Sequence, residues 1–256
     1  MSDQPFVWVT QCEGTIQKLG VSSSGEKEEL NASDISVGAD ETLWVLVSEG
    51  AGYEENALYQ GSVIKYRRKD EKEFKSLGTE LGAIRIDGGP KGRKAYAIDS
   101  AGAVLEITVH DDDKHEVKKV SENGFAREVS VGPDGVCWVV SNEGVYGGCL
   151  IKYYHDEAWS NVSDSYGGIK VTNAGAGKGF YVDTSGNVFS ITVGGEPEQL
   201  PLGTGFAREV SVGPEGNLWV ATNDAKEGGT TILMQPADGG AFHEVDGTGN
   251  KIDAGF

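Results

Sequence analysis

Gly124-Phe-Ala-Arg-Glu-Val-Ser-Val-Gly-Pro133 recurs letter for letter as Gly205 to Pro214. A third, more diverged copy runs Ala32-Ser-Asp-Ile-Ser-Val-Gly-Ala-Asp40. Each copy leads through an acidic turn into a strand centred on tryptophan: Leu43-Trp44-Val45, Cys137-Trp138-Val139 and Leu218-Trp219-Val220. A unit of strand, tight turn and strand, repeated along a chain, is the signature of a β-propeller or a related array.

A second form of the unit alternates with the first. Ile84 to Asp87 leads to Ala95–Asp99 and Val104–Thr108, and Ile169 to Thr172 leads to Phe180–Asp183 and Val188–Thr192. The third member appears when the ends are joined: Lys251–Gly255 supplies its first strand, and Phe6–Thr10 and Thr15–Leu19 the next two. The fold class is therefore all-β, a six-bladed propeller of four-stranded blades with pseudo-threefold symmetry. Blades of type A (A1, A2, A3) and type B (B1, B2, B3) alternate, and B3 is closed by strands from both termini. Half the spacing between like copies is about 40 to 47 residues, the size of a four-stranded blade. In A2 the strands read as Glu128–Val131, Val136–Val140, Leu150–Tyr153 and Ala158–Val162. The whole span 1–256 reads as one domain. The polar stretches Val21–Glu29 and Ser48–Gly61 read as loops, and no segment has a helical period. The 38 glycines suit many tight turns.

The net charge of −18 argues against nucleic acid, whose affinity for proteins rests on Lys and Arg neutralising phosphates. It disfavours anionic membrane surfaces for the same reason, and no run is long and apolar enough to span a bilayer. No leader-like run follows Met1, so the expected location is cytoplasmic, with release by a leaderless route as the variant of that reading. The three cysteines, Cys12, Cys137 and Cys149, have no metal-type spacing and are expected to be reduced thiols. The sequons at Asn31 and Asn161 read as chance matches.

Enzyme signals are thin. There is no nucleophile elbow, paired-His motif or phosphate loop, and no cofactor is implied. His110-Asp-Asp-Asp-Lys-His115 is rich in ligand-type residues, but adjacent side chains on a strand alternate faces, so it reads as a charged turn.

The segments Ile35–Trp44, Val129–Trp138 and Val210–Trp219 resemble the tectonin repeat. That family comprises tectonins of slime moulds and fungi and the related tachylectin-type defence lectins. The resemblance implies a propeller that binds glycans, often on microbial or nematode surfaces. It is good in the A blades and weak elsewhere. Apart from Trp8 in B3, the B blades lack the second-strand tryptophan, and they expand the first hairpin, as at Gly88–Lys94, so A and B interfaces are expected to differ in what they bind.

The candidate residues follow from the repeat. A core strand needs Val129 and Val131 but not Arg127 and Glu128, which recur as Arg208 and Glu209. Asn142 and Asn223 match just past the tryptophan strand. Arg, Glu, Trp and Asn together suggest sugar sites at A2 (Arg127, Glu128, Trp138, Asn142) and A3 (Arg208, Glu209, Trp219, Asn223), with Trp44 and Trp159 as further stacking surfaces. For the tryptophans the plainer reading is a wedge between blades, and for Trp159, Phe74 and Phe242 a staple on the outer strand. Arg85, Lys170 and Lys251 recur at one position of the B blades, and with Ser36, Ser130 and Ser211 of the A blades they suggest a ring of cations and hydroxyls near the axis, read either as charge balance in an acidic protein or as an anion site. The expected function is a non-enzymatic, multivalent lectin for surface glycans, acting in defence or recognition, because weak sites repeated on a rigid ring gain avidity. The alternative is a propeller scaffold that binds a protein or peptide at one end of the ring. A lyase or hydrolase at the axial mouth is the third reading.

Overall fold

A computed structural model describes residues 6–11, 14–20, 24–48, 61–78, 80–89, 93–202 and 206–254. Six antiparallel sheets stand around one axis. From the axis outward, A1 is Ala32–Val37, Leu43–Val47, Ser62–Arg67 and Lys75–Ser76. B1 is Arg85–Gly88, Lys94–Ile98, Val104–Val109 and His115–Lys119, and A2 is Ala126–Val131, Cys137–Val145, Gly148–His155 and Ala158–Asn161. B2 is Lys170–Gly175, Lys178–Val182, Val188–Thr192 and Glu198–Gln199, and A3 is Ala207–Val212, Leu218–Lys226, Gly229–Gln235 and His243–Gly249. B3 closes the ring as expected: Lys251–Asp253 pairs with Phe6–Thr10, followed by Thr15–Gly20 and Ser24–Glu29. Each inner strand touches the inner strands of both neighbours, so the ring has no open side.

One expected loop is partly a strand. Within the stretch 21–29, Ser24–Glu29 forms the outer edge of B3. Its polarity suits a strand with an outward edge, where charge also discourages pairing with other chains. Most of 48–61, together with Cys12 and Gly255, lies outside the described residues. Cys137 and Cys149 are buried free thiols on adjacent strands. They are offset along the ladder, with Cys137 opposite Tyr154 and Cys149 opposite Gly144.

The core is divided into six clusters, one at each interface between blades. Both faces of a blade are therefore buried, which is why its middle strands are continuous apolar runs such as Leu43–Val47 rather than alternating ones. Trp44, Trp138 and Trp219 are 0% exposed, each wedged between an A blade and the B blade that follows it. The fit is close: a Cβ on Gly179 would come 2.8 Å from Cζ3 of Trp138. A serine of the repeated strand latches the same three interfaces. Ser36 Oγ accepts the Gly88 N–H (2.7 Å), Ser130 Oγ that of Asn173 (3.0 Å) and Ser211 Oγ that of Ala254 (3.0 Å). A hydroxyl inside an apolar strand thus satisfies a backbone donor of the neighbouring blade.

Candidate functional site

Two parts of the ring concentrate chemistry. The first is the axis. Side chains on a strand alternate faces, and this separates the repeated Arg and Glu. Arg127 and Arg208 are exposed, whereas Glu128 and Glu209 turn inward and are buried. The two residues expected to act as a pair therefore serve different surfaces. Glu128 meets Arg85 Nε (2.5 Å), Lys170 Nζ (2.5 Å) and Lys251 Nζ (3.6 Å). Glu209 meets Lys170 and Lys251, both at 3.3 Å, and Asp34 meets Lys251 at 3.6 Å. Three acids from A blades and three bases from B blades thus form one network across the axis. Of the two readings of the axial cations the geometry follows charge balance: they pair with carboxylates, and the serines, expected in the same ring, lie one tier further along the strands. Burial works against the Glu128 carboxylate, but Lys251, Lys170 and Arg85 outweigh it and hold its pKa at about 2. Asp34 is shifted the other way, because burial outweighs Lys251 and Arg85.

The second tier holds Ser36, Ser130 and Ser211 of the A blades with Asp87, Thr172 and Asp253 of the B blades. Ser36 Oγ lies 2.5 Å from Asp87 and 2.9 Å from Asp253, and Ser211 Oγ is 3.1 Å from Asp253. The carboxylates also cross to the next A blade, where Asp87 accepts the Val131 N–H (2.7 Å) and Asp253 the Val37 N–H (2.5 Å). Asp87 and Asp253 were not singled out from the sequence. Aligning Ile35 with Ile86 would have placed Asp34 beside Arg85 and Ser36 beside Asp87, and so found both tiers.

The remaining sequence candidates lie apart. Trp44, Trp138 and Trp219 expose no ring face on which a sugar could stack. Asn142 accepts a bond from Arg127 Nε (3.1 Å) and donates to the Gly124 carbonyl (2.7 Å). Asn223 donates to the Ala207 carbonyl (3.4 Å). These polar residues sit on exposed surface, away from the tryptophans beside them in sequence. Trp159 donates to the Val120 carbonyl (2.9 Å) and packs on Phe125 and Tyr154, tying the outer strand of A2 to B1. Phe74 lies under Arg67, and Phe242 packs on the B2–A3 cluster. In the His110–His115 turn, Asp113 pairs with Arg68 and Lys75 of A1 and accepts the Tyr66 hydroxyl. No group of three or more His, Cys, Asp or Glu is placed to hold a metal among the described residues.

The second concentration is a pair of grooves on the face where the inner hairpins turn. One lies between B3 and A1, about 270 Å³, lined by Phe6, Trp8 and Lys18 on one side and Glu41, Leu43 and Arg67 on the other. The other lies between B1 and A2, about 670 Å³, lined by Arg93, Lys94, Tyr96, Thr108, Asp111 and Asp134 among others. They are equivalent under the pseudo-threefold, since Trp8 pairs with Asp253 as Tyr96 pairs with Asp87. Trp8 and Tyr96 form nearly buried aromatic floors. The rims are charged: Arg67 pairs with Glu28, Lys69 with Glu41, Arg93 with Asp111, and Lys94 with Glu106 at 2.8 Å. From the B-type hairpin noted in the sequence as expanded, Arg93 and Lys94 line one wall.

Against known proteins, no family model and no curated protein matches this sequence. The fold does match solved structures. TolB from Acinetobacter baumannii is similar over 97% of this chain at 13% identity and a TM-score of 0.69, and the chain covers 65% of TolB. YCF48 bound to D1 peptide is similar over 94% of this chain and 79% of its own, at 14% identity and a TM-score of 0.54. U3-55K is similar over 99% of this chain and 86% of its own, at 8% identity and a TM-score of 0.59. At these identities the likeness establishes the β-propeller scaffold, and none of these names is a tectonin. The expected cytoplasmic location is withdrawn, since none of these similar structures supports it.

Proposed function

We propose that this propeller is a non-enzymatic binding protein that takes an extended segment of a protein partner in the grooves between a B blade and the A blade that follows it. The observation that carries this reading is the repetition of one groove plan at B3–A1 and B1–A2, each with an aromatic floor and a charged rim. Such a surface offers apolar contact below and directional ion pairs above, the anatomy of a polar-rimmed recognition site. A structure of similar fold, YCF48, holds a peptide, which makes a peptide the ligand class to test first. Selection from a random peptide library on the purified protein should return sequences whose binding falls in Lys94→Glu and Lys18→Glu and is unchanged in Arg127→Ala. Failure to select any peptide, or binding indifferent to both groove variants, would remove this reading.

A second reading is the tectonin-like lectin. It is favoured by one observation, the exposed Arg127 bonded to Asn142, with Arg208 and Asn223 at the equivalent positions of A3. Two such copies on a rigid ring would bind a repeated surface glycan with avidity. A glycan array separates the readings, since signal lost in the Arg127→Ala/Arg208→Ala double variant and kept in Lys94→Glu would favour the lectin.

A further inference from the structure

Resting on the peptide reading of the grooves, we propose that the one between B3 and A1 selects an acidic stretch of the partner, with two carboxylates near each other. The two grooves share a plan and differ in sign. The B3–A1 lining holds five cations, Lys18, Arg67, Arg68, Lys69 and Lys72, against two acids, Glu41 and Glu71. The B1–A2 lining holds two permanent cations, Arg93 and Lys94, against Asp111, Asp112 and Asp134. The cationic groove stands out on a chain of net charge −18.

The difference lies at equivalent positions of the repeat. Beside the aromatic floor, Lys18 stands opposite Trp8, where Glu106 stands opposite Tyr96 and Ser190 opposite Phe180. On the A side, Tyr66 opposes Trp44 as Tyr153 opposes Trp138, so Arg67-Arg68-Lys69 of A1 takes the place of Tyr154-His155-Asp156 of A2. In A3, where Met234 opposes Trp219, the same three places hold Gln235-Pro236-Ala237. The cationic run is therefore particular to A1, and it faces the one B blade with a lysine at the floor. The blade does not require it, since A2 and A3 fold without it.

Three of the five cations are already paired. Arg67 meets Glu28, Lys69 meets Glu41, and Arg68 meets Glu71 (3.4 Å) and Asp113 (2.8 Å). Lys18 and Lys72 have no ion pair among the described residues. Lys18 is held over the Phe6 ring, 3.6 Å from its centroid. Phe6 and Trp8 lie two apart on one strand and share a face, so this ammonium stands on the aromatic wall of the groove. Lys72 lines the A1 side, from the turn that follows Ser62–Arg67. An extended segment turns successive side chains to opposite sides, so neighbouring acids in it can meet both walls. The negative charge elsewhere on the ring repels acidic chains. It is screened beyond about 8 Å at physiological salt, so the local cations decide where such a segment is held.

The test is fluorescence anisotropy of the full chain with two labelled peptides of equal length around a central tryptophan, one otherwise all glutamate and one all glutamine. The glutamate peptide should bind wild type at about 0.15 M salt, and the glutamine peptide about tenfold more weakly. Lys18→Glu/Lys72→Glu should weaken the glutamate peptide by about tenfold, and Lys72→Glu alone, at an exposed turn, by about threefold. The charge-matched Lys118→Glu/Lys119→Glu, on the exposed outer strand of B1, should bind as wild type does, which separates groove contact from net charge. Equal binding of the two peptides, or equal loss in the two double variants, would overturn the proposal. Should Lys18→Glu/Lys72→Glu not fold by circular dichroism, undiminished binding in Lys72→Glu would overturn it. Library peptides that depend on Lys18 but carry no acids would sink it and leave the peptide reading standing. A library that yields no peptide removes that reading and this proposal with it.

Discussion

The two ends of the inner strands share one pseudo-threefold plan and have diverged to different degrees. At the axis the plan holds: every A blade contributes an acid, every B blade a base, and every A blade a serine one tier on. In the grooves at the hairpin end it does not. Beside the aromatic position Trp8, Tyr96 or Phe180, the neighbouring strand carries Lys18, Glu106 and Ser190. At another equivalent position stand Phe6, Lys94 and Lys178. A buried charge is fixed by the partner that neutralises it, because an orphaned one costs several kcal/mol. A rim charge in water is worth about 1 kcal/mol or less and can differ from groove to groove. The ring is thus uniform where it must hold together and varied in the grooves proposed to take a ligand.

Removing the last six residues strikes both ends at once and should have the largest effect. It deletes Lys251 and Asp253 from the axis and strips Phe6–Thr10 of its partner strand. Aggregation or loss of cooperative melting is expected, and a truncated protein as stable as the whole would break the account of closure. Next is Glu128→Ala, which leaves Arg85 and Lys170 without their nearest acid. A loss of about 3–5 kcal/mol in urea melts is expected, the usual cost of breaking a buried ion pair from one side. Trp138→Ala should cost a similar amount, about 3–5 kcal/mol, through the cavity it opens.

The pH dependence sharpens the picture of the axis. Glu128 is depressed to about 2 from an ordinary 4.5. Its contribution is full above about 4.5 and lost as pH falls towards 2. Asp87 has the opposite sign: its folded pKa is raised above 3.8, so its contribution is present at low pH and lost as pH rises through the raised value. Asp87→Asn should therefore gain on wild type as pH rises from about 4 to 7. A constant difference across that range would contradict the shift. The smallest effects belong to the exposed side chains, since Arg127→Ala and Lys94→Glu should each change stability by no more than about 0.5 kcal/mol.

The fold was legible because the repeat carries it. Alternating valines, acidic turns and one second-strand tryptophan per A blade have few other solutions, and joining the termini completed the sixth blade. The site was less legible. Arg127 and Glu128 are neighbours in sequence, and identity between the copies linked them, yet strand alternation sends one to solvent and the other to the axis. The tryptophans look like sugar platforms in isolation, but a blade buries both faces, which removes them from the surface. The grooves depend on residues brought together from Lys18 and Glu41, or Lys94 and Asp134, and no local pattern marks such pairs. The B-blade departures at Gly88–Lys94 were the one visible sign that these interfaces are built differently.

The central claim is that the hairpin-end grooves recognise the ligand while the axis only holds them in place. Calorimetry of one library-selected peptide against wild type, Lys94→Glu and Arg127→Ala, with urea melts on the same samples, tests it most directly. The account predicts that Lys94→Glu loses binding at wild-type stability and that Arg127→Ala binds as wild type does. Binding lost in Arg127→Ala and kept in Lys94→Glu would contradict it and place recognition on the A-blade surface instead.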